Sequence, residues 1–265
     1  MGQNEQYTSN CFRESSQYRS YVVIRIKTTK VDALVFIGYR PIGKQNPLWI
    51  RFNPAHFTRL GYRQLKFKLS KILGLELLLE SFANATPTRL DIAVDIPGIT
   101  PSYLLADMRD ARNSAIHMKG GNVESIGMGT NRSTTAVLVY LKGLGTRVEI
   151  RLRRMNQPNK PVTLATLATS LPANPFKRLD IYKVDEANTF TAPIRLVVAA
   201  SRAFGLKAAL LTLDQSDRRL VRQQLAQSKV EHFDADLVWT EVVKLLKPLR
   251  ILYTANTVKK VPAKK

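Results

Sequence analysis

Tyr140, Glu149, Asp91 and Asp95 are the residues from which chemistry can be built, because each falls in a segment of alternating polarity. In TRLDIAVDI (88–96), Arg89, Asp91, Ala93 and Asp95 face one way and Leu90, Ile92, Val94 and Ile96 the other. RVEIRLRR (147–154) sets Arg147, Glu149, Arg151 and Arg153 opposite Val148, Ile150 and Leu152. A period of two is the mark of a strand with one buried face. TTAVLVYLK (134–142) lies between them, and Gly143-Leu144-Gly145-Thr146 reads as a four-residue hairpin loop. That loop pairs Lys142 with Arg147 and sets Tyr140 opposite Glu149. A tyrosine hydroxyl, carboxylates and arginines then share one sheet face, the equipment for metal-assisted transesterification at a phosphodiester.

Such a reaction needs a nucleophile, neutralisation of the non-bridging oxygens and, as a rule, a divalent metal. Tyr140 is the candidate nucleophile. Lys142, two residues on, is placed to steady a phenolate or a phosphate oxygen. Asp91 and Glu149 are the candidate metal ligands. Asp95 is a supporting carboxylate or a cap for the exit turn at Ile96-Pro97-Gly98, because four residues along a strand separate Cα atoms by ~13 Å. Carboxylate oxygens favour Mg2+ or Mn2+. Arg89, Arg147, Arg151 and Arg153 on the same face, with Arg132 in GTNRSTT (129–135), are the candidate nucleic-acid contacts. Plain structural readings stand beside these: Tyr140 as a half-buried strand aromatic, and Glu149 as the centre of an Arg–Glu–Arg ladder. His56, His117 and His232 form no His-x-His pair and are expected to be structural or exposed.

The elements that must position these residues form an α+β plan with antiparallel pairing. Strands are expected at 21–28, 33–39, 48–52, 88–96, 125–128, 134–142, 147–154 and 178–184. A helix over 64–82 is drawn from the stripe Leu65, Leu69, Ile72, Leu73 and Leu77. Thr100-Pro101 reads as an N-cap and first-turn proline opening a helix to about Asn113, and a short helix is expected at 163–171. From Pro193 the pattern is helical over 193–212, 215–228 and 234–247. The expected division is a flexible lead (1–19), an α+β catalytic domain (20–185), a helical DNA-docking region (186–252) and a basic tail (253–265). The alternative for the helices is that Leu196, Val197, Phe204, Leu220 and Leu225 pad the back of the sheet.

Forty-five per cent hydrophobic residues mark a globular chain, so its net charge of +21 is not a sign of disorder. The excess calls for a polyanionic partner, and it favours nucleic acid over a membrane surface. It is spread along the sequence: residues 195–265 hold 14 basic and 6 acidic residues, and the rest hold 27 and 14. Arg202 and Lys207 break the longest apolar run, so no membrane span is expected. One cysteine, Cys11, excludes an internal disulfide and a multi-cysteine zinc site. With no signal-peptide pattern in MGQNEQYTSN, a reducing cytoplasm is expected.

At these residues the chain resembles the Rep_trans-type replication initiators of rolling-circle plasmids and filamentous phages. Arg89–Asp95 matches that family's Arg-hydrophobic-Asp-hydrophobic-Ala-hydrophobic-Asp strand. Gly129 to Ser133 and Val139 to Gly143 are similar to its Gly-Ser-Arg-Lys-Ser…Ile-Tyr-Asp-Lys-Gly segment, and Arg147-Val148-Glu149 to its Arg-hydrophobic-Glu strand. LWIRFNPAHF (48–57) and Asn174-Pro175-Phe176-Lys177-Arg178 resemble further family segments, so the likeness covers roughly 20–185. Leu141 departs from it, standing where the family usually has an acidic residue. The resemblance implies a replication-initiator nuclease core with helices on one face of an antiparallel sheet. It implies an enzyme of a bacterial host's cytoplasm that recognises a double-strand origin duplex and nicks one strand. Tyr140 is then the nicking tyrosine, joined to a 5′ phosphate, and Asp91 and Glu149 are metal ligands or their close support. A host helicase and a second copy of the chain are open as further partners. The competing expectations are a DNA-binding regulator on the same fold and a basic RNA-binding or structural protein.

Overall fold

A computed structural model of the chain describes residues 18–27, 32–42, 48–130, 132–153, 155, 162–171, 173–184, 191–230 and 233–255. The expected lead up to residue 17, Cys11, the break at 156–161, His232 and the tail from 256 lie outside them. The protein is mixed α+β with antiparallel sheets and six α-helices among these residues. No helix among them is long and apolar enough to cross a membrane. The chain divides into two compact units, residues 1–85, 163–169 and 243–265 in one and 86–162 and 170–242 in the other. Residues 191–242 are grouped with the arginine-rich strands.

In the first unit, β1 (Tyr18–Ile26), β2 (Ala33–Pro41) and β3 (Leu48–Phe52) form an antiparallel meander. Ile24, Ile26, Ala33 and Val35 are buried on one face, where Gly61 of α1 (Arg59–Leu73) approaches Ile26. The helix expected over 64–82 is two helices. Gly74, at φ 80°, ends α1 and starts α2 (Leu75–Asn84). Turning the chain there buries Leu78 and Phe82 and leaves Ile72 and Leu77 exposed, so one continuous stripe was the wrong pattern. A 3-10 helix, Lys247–Leu252, packs on α1 and α2, and the buried Lys66 ammonium donates to the Thr254 carbonyl. Burial lowers the pKa of that lysine. Residues 164–169 are turns and no helix, because the hydroxyls of Thr163, Thr166 and Thr169 bond to the local backbone instead.

The second unit is built on a five-stranded sheet in the order β4-β9-β8-β7-β6. Its strands are β4 (Arg89–Ile96), β6 (Ser114–Lys119), β7 (Asn122–Met128), β8 (Thr135–Lys142) and β9 (Gly145–Arg153). Ile92, Ile96, Ile126, Val137, Val139, Val148 and Ile150 fill its buried face. The segment after β4 crosses that face: Thr146 Oγ1 donates to the Ile99 carbonyl at 2.6 Å, and Val123 N donates to Ser102 Oγ at 3.0 Å. The helix expected at 100–113 is instead a single 3-10 turn, Pro101–Tyr103, followed by β5 (Leu104–Met108), which pairs with β10 (Leu179–Lys183). Leu104, Leu105, Ala106 and Met108 are buried on both faces of that strand, which is why no alternation marks it.

Helices α3 (Ala192–Phe204), α4 (Leu206–Leu211) and α5 (Gln215–Ala226) share a core with β5 through Leu105, Val197, Leu206, Val221 and Leu225. The helical stretch expected over 193–212 breaks at Gly205, where a side chain would collide with Ser114. Val197 and Leu225 are buried as padding residues would be. Leu196 (71% exposed), Phe204 (69%) and Leu220 (45%) are not. A sixth helix, α6 (Ala235–Leu246), follows.

Candidate functional site

The hairpin that carries Tyr140 turns through two residues, Gly143 and Leu144, so Lys142 pairs with Gly145. Gly143 adopts φ 60°, as the first position of a tight hairpin favours. Gly145 cannot belong to a loose loop. It lies so close to the Ile96 carbonyl that a Cβ would strike it, and it continues the strand with Thr146. The expected pairing is therefore corrected. Tyr140 is opposite Arg147, Leu138 is opposite Glu149, and Lys142 does not face Arg147. Because the shift is two residues, every side chain keeps its face.

The outer face of the sheet reads in rows across the strands. One row is Asp95, Arg147, Tyr140, Ser125 and His117; the next is Ala93, Glu149, Leu138, Gly127 and Ala115; a third holds Asp91, Arg151 and Ala136. The Tyr140 hydroxyl bridges two rows, donating to Glu149 Oε2 at 3.3 Å. Burial, then the Glu149 charge, raise the phenol's pKa, and Arg147 opposes them. The phenol is thus protonated at neutral pH, with a carboxylate placed to take its proton.

Arginines close each carboxylate. Arg89 Nε and Nη2 donate to the two oxygens of Asp91 at 2.7 and 2.5 Å. Arg147 does the same to Asp95 at 2.5 and 2.7 Å, and Lys142 Nζ donates to Asp95 Oδ2 at 3.2 Å. Arg151 Nε donates to Glu149 Oε1 at 2.5 Å. Glu149 is the most sheltered of the three, with 14% of its side chain exposed against 37% for Asp91 and 55% for Asp95. Glu149 is thus shared between Arg151 and the Tyr140 hydroxyl, while Arg147, expected in a ladder with it, is taken by Asp95.

The expected metal set is Asp91, Asp95 and Glu149. The donors are the hard oxygens that Mg2+ or Mn2+ takes. They do not converge: Asp91 and Asp95 are four residues apart on β4, each closed by an arginine. Among the described residues, no three His, Cys, Asp or Glu side chains are grouped so that they could hold a metal ion.

Arg132 and Arg153 lie at the other end of β8. Arg153 Nη1 donates to the Thr130 carbonyl at 3.2 Å, and Thr135 to Tyr140 spans roughly 17 Å along the strand. The turn holding Arg132 is closed by its own bonds, Thr130 N to Ser133 Oγ at 2.9 Å and Arg132 N to Thr130 Oγ1 at 3.2 Å. Arg132 is exposed. Lys142 serves Asp95, and Arg147 takes the place beside the phenol that was expected of it.

Leu141 lies on the opposite face from Tyr140, paired with Thr146. Ser125, expected only as part of a short strand, and His117, exposed as expected, share the Tyr140 row. His56 bonds to Asn53 Nδ2 at 3.0 Å, as a structural histidine does. No family model matches the chain, and no curated protein matches it.

Proposed function

We propose that the protein is a rolling-circle replication initiator that nicks origin DNA through Tyr140. The observation that carries this reading is the Tyr140 hydroxyl donating to Glu149 on an arginine-lined, open sheet face. In the proposed step, Tyr140 Oη attacks the phosphorus and the P–O3′ bond breaks. The phenol proton passes to Glu149 Oε2, and the leaving O3′ takes a proton from water, which Glu149 restores by releasing its own to solvent. One phosphodiester is exchanged for another, a 5′-phosphotyrosine, so the step can run backward as ligation. Arg147 sits beside the phenol and opposes the rise in its pKa, the direction a forming phenolate requires. Arg89, Arg151 and Arg153 extend the cationic surface along the strands. This class of reaction uses Mg2+ or Mn2+; Asp91, Asp95 and Glu149 are each held by an arginine and do not converge on one ion, so no step is routed through a metal here. A nuclease core on an antiparallel sheet is the fold this reading assigns to the second unit.

The test is to incubate the protein with supercoiled replicon DNA and Mn2+ and look for a covalent protein–DNA adduct. A denaturant-stable adduct lost in Tyr140→Phe supports the reading. Sequence-selective binding with no adduct would leave a DNA-binding regulator on the same fold.

A further inference from the structure

The described residues of the first unit hold 13 basic and 3 acidic residues, a net +10, yet the proposed chemistry lies in the other unit. Its three-stranded sheet has one buried face, held by Ile24, Ile26, Ala33 and Val35. On the other face Val23, Phe36 and Arg51 form one cross-strand row, and Trp49 follows two residues before Arg51. The Arg51 guanidinium lies 5.1 Å from the centroid of the Phe36 ring and 5.7 Å from that of Trp49. Both rings are half-buried and Arg51 is exposed. Arg51 has no carboxylate partner among the described residues. Arg25 shares the face, with 67% of its side chain exposed.

We infer that this face is a stacking platform for single-stranded DNA. Two aromatic rings bridged by one planar guanidinium, with Trp49 stacked on Tyr18 at 6.2 Å, make one continuous π-surface, and every base has a π-face to lay on it. Arg51 and Arg25, the latter 3.6 Å from Asp32, are the cations on this face that answer the phosphates. A duplex, whose bases are already stacked, gives the rings nothing to bind, so charge alone would hold it. This inference rests on Phe36, Trp49 and Arg51 and does not depend on Tyr140 chemistry.

The chain has two tryptophans, Trp49 and Trp239, so Trp239→Phe leaves Trp49 as the sole reporter. Titrating that variant with a short oligo-dT should quench Trp49 emission, whereas a duplex of equal length should not. Arg51→Lys keeps the charge and removes the plane, and Phe36→Leu keeps apolar bulk and removes the ring. Each should weaken oligo-dT binding by about tenfold in fluorescence anisotropy, given a typical stacking contribution per base. Tyr140→Phe should bind oligo-dT as the parent does, which separates this result from the fate of the nicking proposal. Absence of quenching, equal quenching by duplex, or parental affinity in Arg51→Lys would each overturn the platform. The quenching result decides even where a substitution unfolds the sheet.

Discussion

Replacing Tyr140 with phenylalanine removes one oxygen from a strand position that tolerates the ring. That oxygen makes a 3.3 Å hydrogen bond to Glu149, whose other oxygen keeps Arg151 at 2.5 Å. A well-formed bond to a charged group contributes about 1.5–3 kcal/mol. This one is long and sits on a partly open face, so its loss should cost about 1 kcal/mol or less. For a chain of this size that lowers Tm by about 2–4 °C. The covalent yield has no such gradation, because a phenyl ring carries no nucleophile. The assay pairs a thermal melt with denaturing electrophoresis of the protein after incubation with supercoiled replicon DNA and Mn2+. Expected are a nearly parental melt, undiminished DNA binding and no adduct. An adduct at parental yield would refute the assignment, moving the nucleophile to the exposed Tyr103 or to Tyr182, whose pKa is pushed up to about 12 by burial. A fall in Tm of more than about 8 °C would show instead that the hydroxyl is a structural strut.

Glu149→Gln removes both the proton acceptor and the charge that helps raise the phenol's pKa. Adduct formation should fall at neutral pH and climb with pH as the phenol ionises; a rate profile parallel to the parent's would exclude Glu149 as the base. Burial raises the pKa of Asp107, so the folded state binds its proton more tightly than the unfolded chain does, and stability is lost as pH rises from the unfolded value through the folded one. Asp107→Asn should therefore stabilise the protein near neutrality by no more than about 1 kcal/mol, since the group still meets solvent, with the gain vanishing in acid; equal denaturant midpoints at neutral pH would refute this. A chain ending near Asp185 loses α3 to α5 and uncovers Leu105 and Val184. It should be poorly folded by circular dichroism, and a soluble fragment with parental ellipticity per residue would contradict the shared core.

The outer face of the sheet was legible in the sequence because strand parity needs only one buried side. Arg89 to Asp95 and Arg147 to Arg153 show it, and parity survived an error in the hairpin turn. What the sequence hid has two physical causes. Leu104 to Met108 are buried on both faces and Ser114 to Lys119 on almost none, so neither alternates. Close approaches were hidden as well: Gly145 reads as turn material until Ile96 is known to lie against it, and Gly205 as helix until Ser114 does. The carboxylates were read as metal donors from their type. Their capture by arginines is a matter of side-chain direction, which no spacing records.

Arginines that hold carboxylates have a consequence for how ions are counted. When a phosphate draws Arg89, Arg147 or Arg151 away, a cation leaves the DNA, and the freed Asp91, Asp95 or Glu149 attracts another. For those three contacts the ion balance nearly closes, so the salt dependence of binding at this face should be shallower than its arginine count suggests. Where the incoming cation is divalent, linkage requires reciprocity: DNA raises the affinity for the cation by the same factor as the cation raises the affinity for DNA.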